Sequence, residues 1–132
     1  RLATARGVEV TFDEADADGW AWPEAAYDVV AAIFIQFASP ALRRRIYARG
    51  AAALRPGGVF LLEGYTPAQL GHGTGGPRVL EQLYTPAQLR EELGAVGLVI
   101  ERLEAYETVL EEGPGHSGRS AVIDVVARRP AV

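Results

Sequence analysis

The sequence predicts an α/β fold with a mainly parallel sheet that ends on one reversed strand, and three observations carry that expectation. First, Tyr27–Phe37 ("YDVVAAIFIQF") and the later run "VFLLEG" are near-continuously apolar and β-branched, the pattern of strands covered on both faces. Second, helix-like segments alternate with these strands, which implies parallel crossover units. Third, the chain closes on two strand-like stretches joined only by "EEGPGHSGR", a loop too short for a crossover helix, so that pair must run antiparallel.

Each element has its own signal. Val8, Val10 and Phe12 alternate with Glu9, Thr11 and Asp13, which reads as a strand over Val8–Phe12 running into an acidic loop with Trp20 and Trp22. After Tyr27–Phe37, "SPALRRRIYARGAAALRPGG" predicts a helix capped by Ser39, with Pro40 in its first turn and a stop at Pro56-Gly57-Gly58. Arg43-Arg44-Arg45 on that helix reads as a solvated face. The pentapeptide "TPAQL" occurs twice, at Thr66–Leu70 and Thr85–Leu89, and reads as one capping solution used twice: the threonine accepts from an N-terminal amide and the glutamine reaches back. The second copy opens a helix over Pro86–Ala95, and strands follow at about Leu98–Val109 and Ser120–Arg128.

At 132 residues the chain makes one domain, residues 1–132, with a single core. A net charge of −4 argues against nucleic-acid or anionic-membrane partners. The absence of cysteine excludes thiol chemistry, disulfides and zinc-thiolate sites and fits a reducing, cytoplasmic setting. No apolar stretch approaches the roughly 20 residues of a membrane span.

Four segments, in order, carry a family resemblance: "EADADGW", Tyr27-Asp28-Val29-Val30, Leu54-Arg55-Pro56-Gly57-Gly58 before an apolar strand, and the closing hairpin "EGPGHSGRSAVIDVVARRP". Together they resemble the C-terminal part of class I S-adenosylmethionine-dependent methyltransferases, with the tellurite-resistance-type and small-molecule branches most similar. The resemblance implies a Rossmann-like sheet, S-adenosylmethionine as cofactor and methyl transfer to a small-molecule acceptor. One departure stands out. The family's glycine-rich cofactor turn after its first strand, and the ribose-binding acid ending its second, have no counterpart before Gly7, and "GHGTGG" (Gly71–Gly76) follows a later strand. The chain thus resembles the family's fold without its first two strands.

Ligands of open α/β sheets bind beyond the carboxyl ends of the parallel strands. That rule brings Asp16, Ala17, Ile33, Phe34 and Phe37 to the rim, and the resemblance assigns them to the cofactor, Asp16 and Ala17 beside its adenine. Glu63, Tyr65, His72 and His116 reach the same rim and are the acceptor-side candidates, the histidines being possible general bases near neutral pH or simple loop braces. Two distant histidines do not make a zinc pattern, so no metal site is expected. A non-catalytic α/β module used for dimerisation or scaffolding is the alternative. A nicotinamide dehydrogenase fits less well, because the dinucleotide fingerprint is absent. Without a neighbour, Tyr27–Phe37 would be a bare apolar edge, so its amides from Val29 to Ile33 are expected to be paired on both sides, by Val8–Phe12, by upstream residues or by a second copy in a homodimer.

Overall fold

The computed structural model describes residues Arg1–Val132. A short helix α1 (Leu2–Ala5) precedes strand β1 (Tyr27–Ile33), helix α2 (Pro40–Ala53), strand β2 (Leu54–Tyr65), two 3-10 turns (Pro67–Gly71 and Leu80–Gln82), helix α3 (Pro86–Ala95) and the hairpin β3 (Val99–Glu111) and β4 (Ser117–Arg128). The sheet has four strands in the order β1-β2-β4-β3. β1 and β2 pair in parallel, while β4 is antiparallel to both β2 and β3. Three strands therefore share a direction, and the reversed one lies inside the sheet rather than at its end. This corrects the mainly parallel expectation: one pairing of the three is parallel. No helix is long and apolar enough to cross a membrane.

The helices cover one face. α2 and α3 pack against Ala32, Phe60, Leu62, Ile123, Val125 and Ala127, with Tyr47, Leu89 and Leu93 supplying the helix side. Gly50 lets α2 approach closely, since a Cβ there would stand 2.8 Å from the Phe60 ring. Ser39 caps α2 by accepting from the Leu42 amide at 3.3 Å, and Thr85 with Gln88 forms a reciprocal capping box on α3. The exit from α2 comes earlier than expected. The helix stops at Ala53, and Leu54 is already extended, so "LRPGG" begins β2. Only Gly57 there adopts a positive φ, 82°, and Gly58 is needed because a Cβ would meet the Arg55 carbonyl at 2.9 Å.

Arg43 overturns the solvated-face reading of the arginine run. At 100° per residue it shares the inner face of α2 with Ile46, Tyr47 and Gly50, and it is 1% exposed. Its guanidinium grips Glu92 of α3 bidentately, Nε to Oε2 at 2.7 Å and Nη2 to Oε1 at 2.8 Å. Its third arm donates to the Glu81 carbonyl at 3.0 Å, and the guanidinium lies 5.8 Å from the Tyr84 ring centroid. Arg44 and Arg45 remain exposed.

The opposite face departs further from expectation. Val8–Phe12 forms no strand: Val8, Val10 and Phe12 are 55%, 52% and 79% exposed, because alternation without a partner strand gives no ladder. β1 pairs with β2 alone, so the amides of Val29 to Ile33 are not bonded on both sides. Nor is β1 doubly covered, with Val29 and Ile33 about half exposed on the face away from the helices. In β2, Leu61 is likewise only partly covered. Toward the carboxyl end this second face is sheltered by a small cluster of Tyr65, Leu83 and Val122, with Phe34, Leu70 and Leu110 against it.

Next to that cluster, the register aligns Glu63, Asp124 and Glu104 across three neighbouring strands. Like charges directly opposite one another destabilise a sheet. Tyr106 relieves Asp124 by donating to its Oδ2 at 2.7 Å, and Arg102 pairs with Glu104 at 2.6 Å. Asp124 Oδ1 is buried without a partner, and Glu63 has no cation beside it. Burial, and then the negative charges of Asp124 and Glu112, hold the Glu63 carboxyl above its ordinary range.

Two outcomes follow for stability. Glu92→Ala leaves the Arg43 charge buried and unpaired, and urea denaturation should show a loss of about 3–5 kcal/mol, whereas the double change Arg43→Met with Glu92→Leu should cost much less. For Glu63, a raised native pKa means the folded chain binds more protons than the unfolded one between the ordinary glutamate range and that raised value. Stability therefore falls as pH rises through this window. Glu63→Gln should raise the melting temperature at pH ~7 and leave it unchanged at pH ~3.5, where the native side chain is protonated in both states. An equal shift at both pH values would contradict that assignment.

Candidate functional site

β1 ends abruptly because Phe34 takes a left-handed conformation, φ 51°, unusual for a residue with a side chain, while its amide still donates to the Glu63 carbonyl at 2.8 Å. The break carries Phe34, Gln36 and Phe37 over the carboxyl ends of β1 and β2. Gln36 then fixes the rim. Its side chain is 7% exposed; Oε1 accepts from the Tyr65 amide at 2.6 Å, and Nε2 donates to the carbonyls of Tyr65 at 2.9 Å and Gln82 at 2.8 Å. One amide thus ties the end of β2 to the segment that returns from the loop.

A cavity of about 400 Å³ opens at this rim, lined by Phe34, Gln36, Phe37, Tyr65, Gly76, Pro77, Gln82, Glu112 and His116. Tyr65 is its floor. The ring packs on Phe34 at a centroid distance of 4.8 Å with the planes tilted by 34°, and lies nearly parallel to the His116 ring at 6.5 Å, with its hydroxyl 3.4 Å from His116 Nδ1. Burial, followed by the charges of Glu112 and Glu63, pushes the Tyr65 hydroxyl up, so it stays a neutral phenol at physiological pH. A phenol that donates to Nδ1 leaves the proton of a neutral imidazole on Nε2.

The glycine-rich loop builds the remaining wall by close approach. A Cβ on Gly76 would stand 2.9 Å from the Tyr65 ring, and one on Gly75 2.5 Å from His116 Nδ1. Both have positive φ, 81° and 106°. Gln69, 1% exposed, anchors this loop to β4: Nε2 donates to Thr74 Oγ1 and the Gly75 carbonyl, each at 3.0 Å, and Oε1 accepts from the Ala121 amide at 2.8 Å. That commitment explains why the first "TPAQL" fails as a helix cap. Its glutamine does not return to Thr66, and Pro67–Gly71 is a 3-10 turn with no side-chain cap.

The acceptor-side candidates divide. Tyr65 and His116 meet in the cavity wall. His72 does not join them; its Nε2 lies 3.0 Å from Glu107 Oε1, so it braces the outside of the loop. Glu107 is also held by Arg119 at 2.5 Å, and these two partners, Arg119 first, keep its carboxyl below the usual range. Glu63 faces the carboxylate row and reaches the cavity only through its field on Tyr65. Neither histidine lies at the amino-terminal edge of the sheet.

The cofactor candidates divide as well. Ala17 and Phe37 share a second, apolar hollow of about 200 Å³ with Trp22, Val30, Ala31 and Ile35, and Phe37 separates it from the first cavity. The acidic loop that forms its lip is pinned to α2, because Asp18 accepts from Arg45 at 2.9 Å and Arg49 at 2.8 Å. Trp22 Nε1 donates to the Ala17 carbonyl at 3.0 Å. Asp16 uses one oxygen to brace its own turn through the Asp18 amide at 2.8 Å. Ile33 points to the uncovered face, away from both hollows. The carboxyl-end rule also accounts for Gln36, Glu112 and the "GHGTGG" loop with Gly76 at this rim, whereas Gln69 and Gln82 carry no such signal in the sequence. No cluster of His, Asp and Glu side chains is spaced to hold a metal ion.

No protein-family model matches this sequence. No curated protein matches it either. Solved structures do. An S-adenosylmethionine-dependent methyltransferase from Methanosarcina mazei superposes with a TM-score of 0.72 at 14% identity, over 95% of this chain and 69% of its own. A protein whose structure accompanies the conversion of a disulfide bond into a thioacetal group during echinomycin biosynthesis gives a TM-score of 0.75 at 19% identity, over 98% of this chain. The [4+2]-cyclase SpnF gives 0.70 at 17% identity, over 99% of this chain. The chain spans only 60% of the length of each of the last two. These strands and helices have the fold of part of a class I S-adenosylmethionine-dependent methyltransferase.

Proposed function

We propose that this chain works in S-adenosylmethionine-dependent methyl transfer to a small molecule, with the aromatic cavity as the acceptor site. The observation that carries this reading is the cavity itself, placed beyond the carboxyl ends of β1 and β2 in a methyltransferase-like sheet. The residues fit one end of the cofactor. The hollow between Ala17, Trp22 and Phe37 is apolar, which suits the face of a flat base, and Asp16 is the residue next to Ala17 in the chain. For the ribose and amino-acid end, these 132 residues hold no glycine-rich turn and acid ahead of β1. Bound, the cofactor supplies an electrophilic methyl group on a sulfonium. What the chain's own residues do is position and shield: Phe34, Phe37 and Tyr65 hold the acceptor and exclude water, and the Tyr65 hydroxyl can take a proton from it while passing its own to His116 Nδ1. Such chemistry needs no dedicated nucleophile.

The test is a titration of the isotope-labelled chain with S-adenosylmethionine, followed by NMR. Weak binding, with shifts confined to the Ala17 amide, the Trp22 indole and Phe37, is expected. Low-micromolar affinity would contradict the partial site, and no shift at those groups at millimolar ligand would overturn the reading.

A second reading, a non-catalytic module that pairs through β1, is favoured by the uncovered β1 edge and its exposed Val29 and Ile33. It expects a homodimer in light scattering that Val29→Pro, which removes an outward-facing edge amide, returns to monomer. A wild-type chain that stays monomeric at high concentration would dismiss it.

A further inference from the structure

The charge and shape of the cavity discriminate among acceptors. Three aromatic rings converge on it, those of Phe34, Phe37 and Tyr65, with Phe34 and Tyr65 in tilted contact at 4.8 Å. Aromatic faces carry negative potential and attract cations, most strongly where water is excluded. The acids around them act in the same direction. Glu112 lines the cavity and has no salt bridge, and its charge reaches both the Tyr65 hydroxyl and the Glu63 carboxyl. Glu63 and Asp124 add further negative charge from behind; Glu63 has no cation beside it, and Arg102, whose charge reaches Asp124, is already bonded to Glu104.

No positive group offsets this field. No arginine lines the cavity, and the chain has no lysine. Six of the 17 acidic side chains are paired with arginine, Asp18, Asp28, Glu92, Glu101, Glu104 and Glu107. Glu112, on the cavity wall, is left without one. His116 is the single basic side chain there. The remaining polar groups do not favour an anion either. Both functional atoms of the Gln36 amide are already committed to backbone partners, and no helix N-terminus is among the lining residues.

We infer that this cavity selects a planar organic cation, an aromatic ring carrying an amine, over neutral or anionic molecules of the same shape. The ring slots against Phe34 and Tyr65, and the ammonium is held toward Glu112. The role of that molecule as methyl acceptor rests on the function proposed above; the binding preference does not.

Three probes with one indole ring and different charge test it without any methyl donor: tryptamine, the neutral tryptophol and the anionic 3-indolepropionate. Calorimetric titration of the 132-residue chain at pH ~8, above the ordinary histidine range, separates ring from charge. Tryptamine is expected to bind roughly tenfold more tightly than tryptophol, with 3-indolepropionate weakest. Glu112→Gln should bring tryptamine to within about twofold of tryptophol. Glu111→Gln, which removes the same charge from an exposed strand position outside the cavity wall, should leave the preference in place. Phe34→Leu should weaken all three probes together.

Equal affinity for the three probes, a preference for the anion, or a tryptamine preference unchanged in Glu112→Gln would each overturn the inference. Because S-adenosylmethionine is absent from the titration, failure here leaves the methyl-transfer reading to its own test. Success here with no shift at Ala17, Trp22 and Phe37 there would separate the cavity's preference from that reading.

Discussion

The site depends on the buried pairing of Arg43 with Glu92, although neither residue touches the cavity. That ion pair joins α2 to α3, and the same guanidinium holds the Glu81 carbonyl and lies over Tyr84. Tyr84 is fully buried and packs so tightly over Gly64 that a Cβ there would stand 2.5 Å from its ring. Gly64 in turn borders Gln36, whose amide fixes both backbone groups of Tyr65. Tyr65 is the floor on which Phe34 and His116 rest. Beyond the 5.8 Å approach of the guanidinium to Tyr84, the links are close contacts, so a charge pair between two helices helps to orient an aromatic ring at the rim. Burying two charges is costly, and apolar residues would stabilise the same helix contact at least as well. What the fork geometry adds is a fixed distance and angle between α2 and α3, together with a third bond to the returning loop.

Two buried glutamines perform the work that regular secondary structure cannot do at a sheet end. Where β1 and β2 stop, their backbone groups need partners, and unpaired buried amides are expensive. Gln36 supplies three hydrogen bonds to the β2 end and Gln82, and Gln69 supplies three to the glycine loop and β4. A neutral amide offers a donor and an acceptor at once, so one side chain can satisfy groups of both kinds without adding charge. The field in the cavity is then set by what is left over, chiefly Glu112 and the carboxylates of Glu63 and Asp124.

The sheet is finished on one face and raw on the other. Helices and their ion pair seal the side bearing Phe60, Leu62 and Val125, while Val29, Ile33 and the Glu63–Asp124–Glu104 row lie on a side sheltered only near Tyr65. The match to known methyltransferase-like structures covers part of their length, and this chain leaves β1 as an edge. An apolar edge and an opposed row of acids both carry free-energy costs that a further layer or strand would reduce.

How much of this was legible in the sequence can be traced residue by residue. Local rules were enough for α2, α3 and the closing hairpin, because Ser39, Thr85-Pro86 with Gln88, and the short "EEGPGHSGR" connection act within a few residues of themselves. The carboxyl-end rule was enough to bring Phe34, Phe37, Tyr65 and His116 to one rim, since strand direction alone decides which residues emerge there. What failed needed a partner distant in the chain. Val8–Phe12 had a strand's alternation but pairs with no other strand, and Arg43 read as solvated until Glu92, 49 positions away, came beside it. Gln69 read as a helix cap until the Thr74 and Ala121 groups claimed its amide, and His72 read as a cavity residue until Glu107 held it outside. Capping, turning and strand direction are properties of contiguous residues. Which polar group finally bonds to which, and therefore what charge the cavity presents, is fixed only when segments far apart in sequence compete for the same few partners.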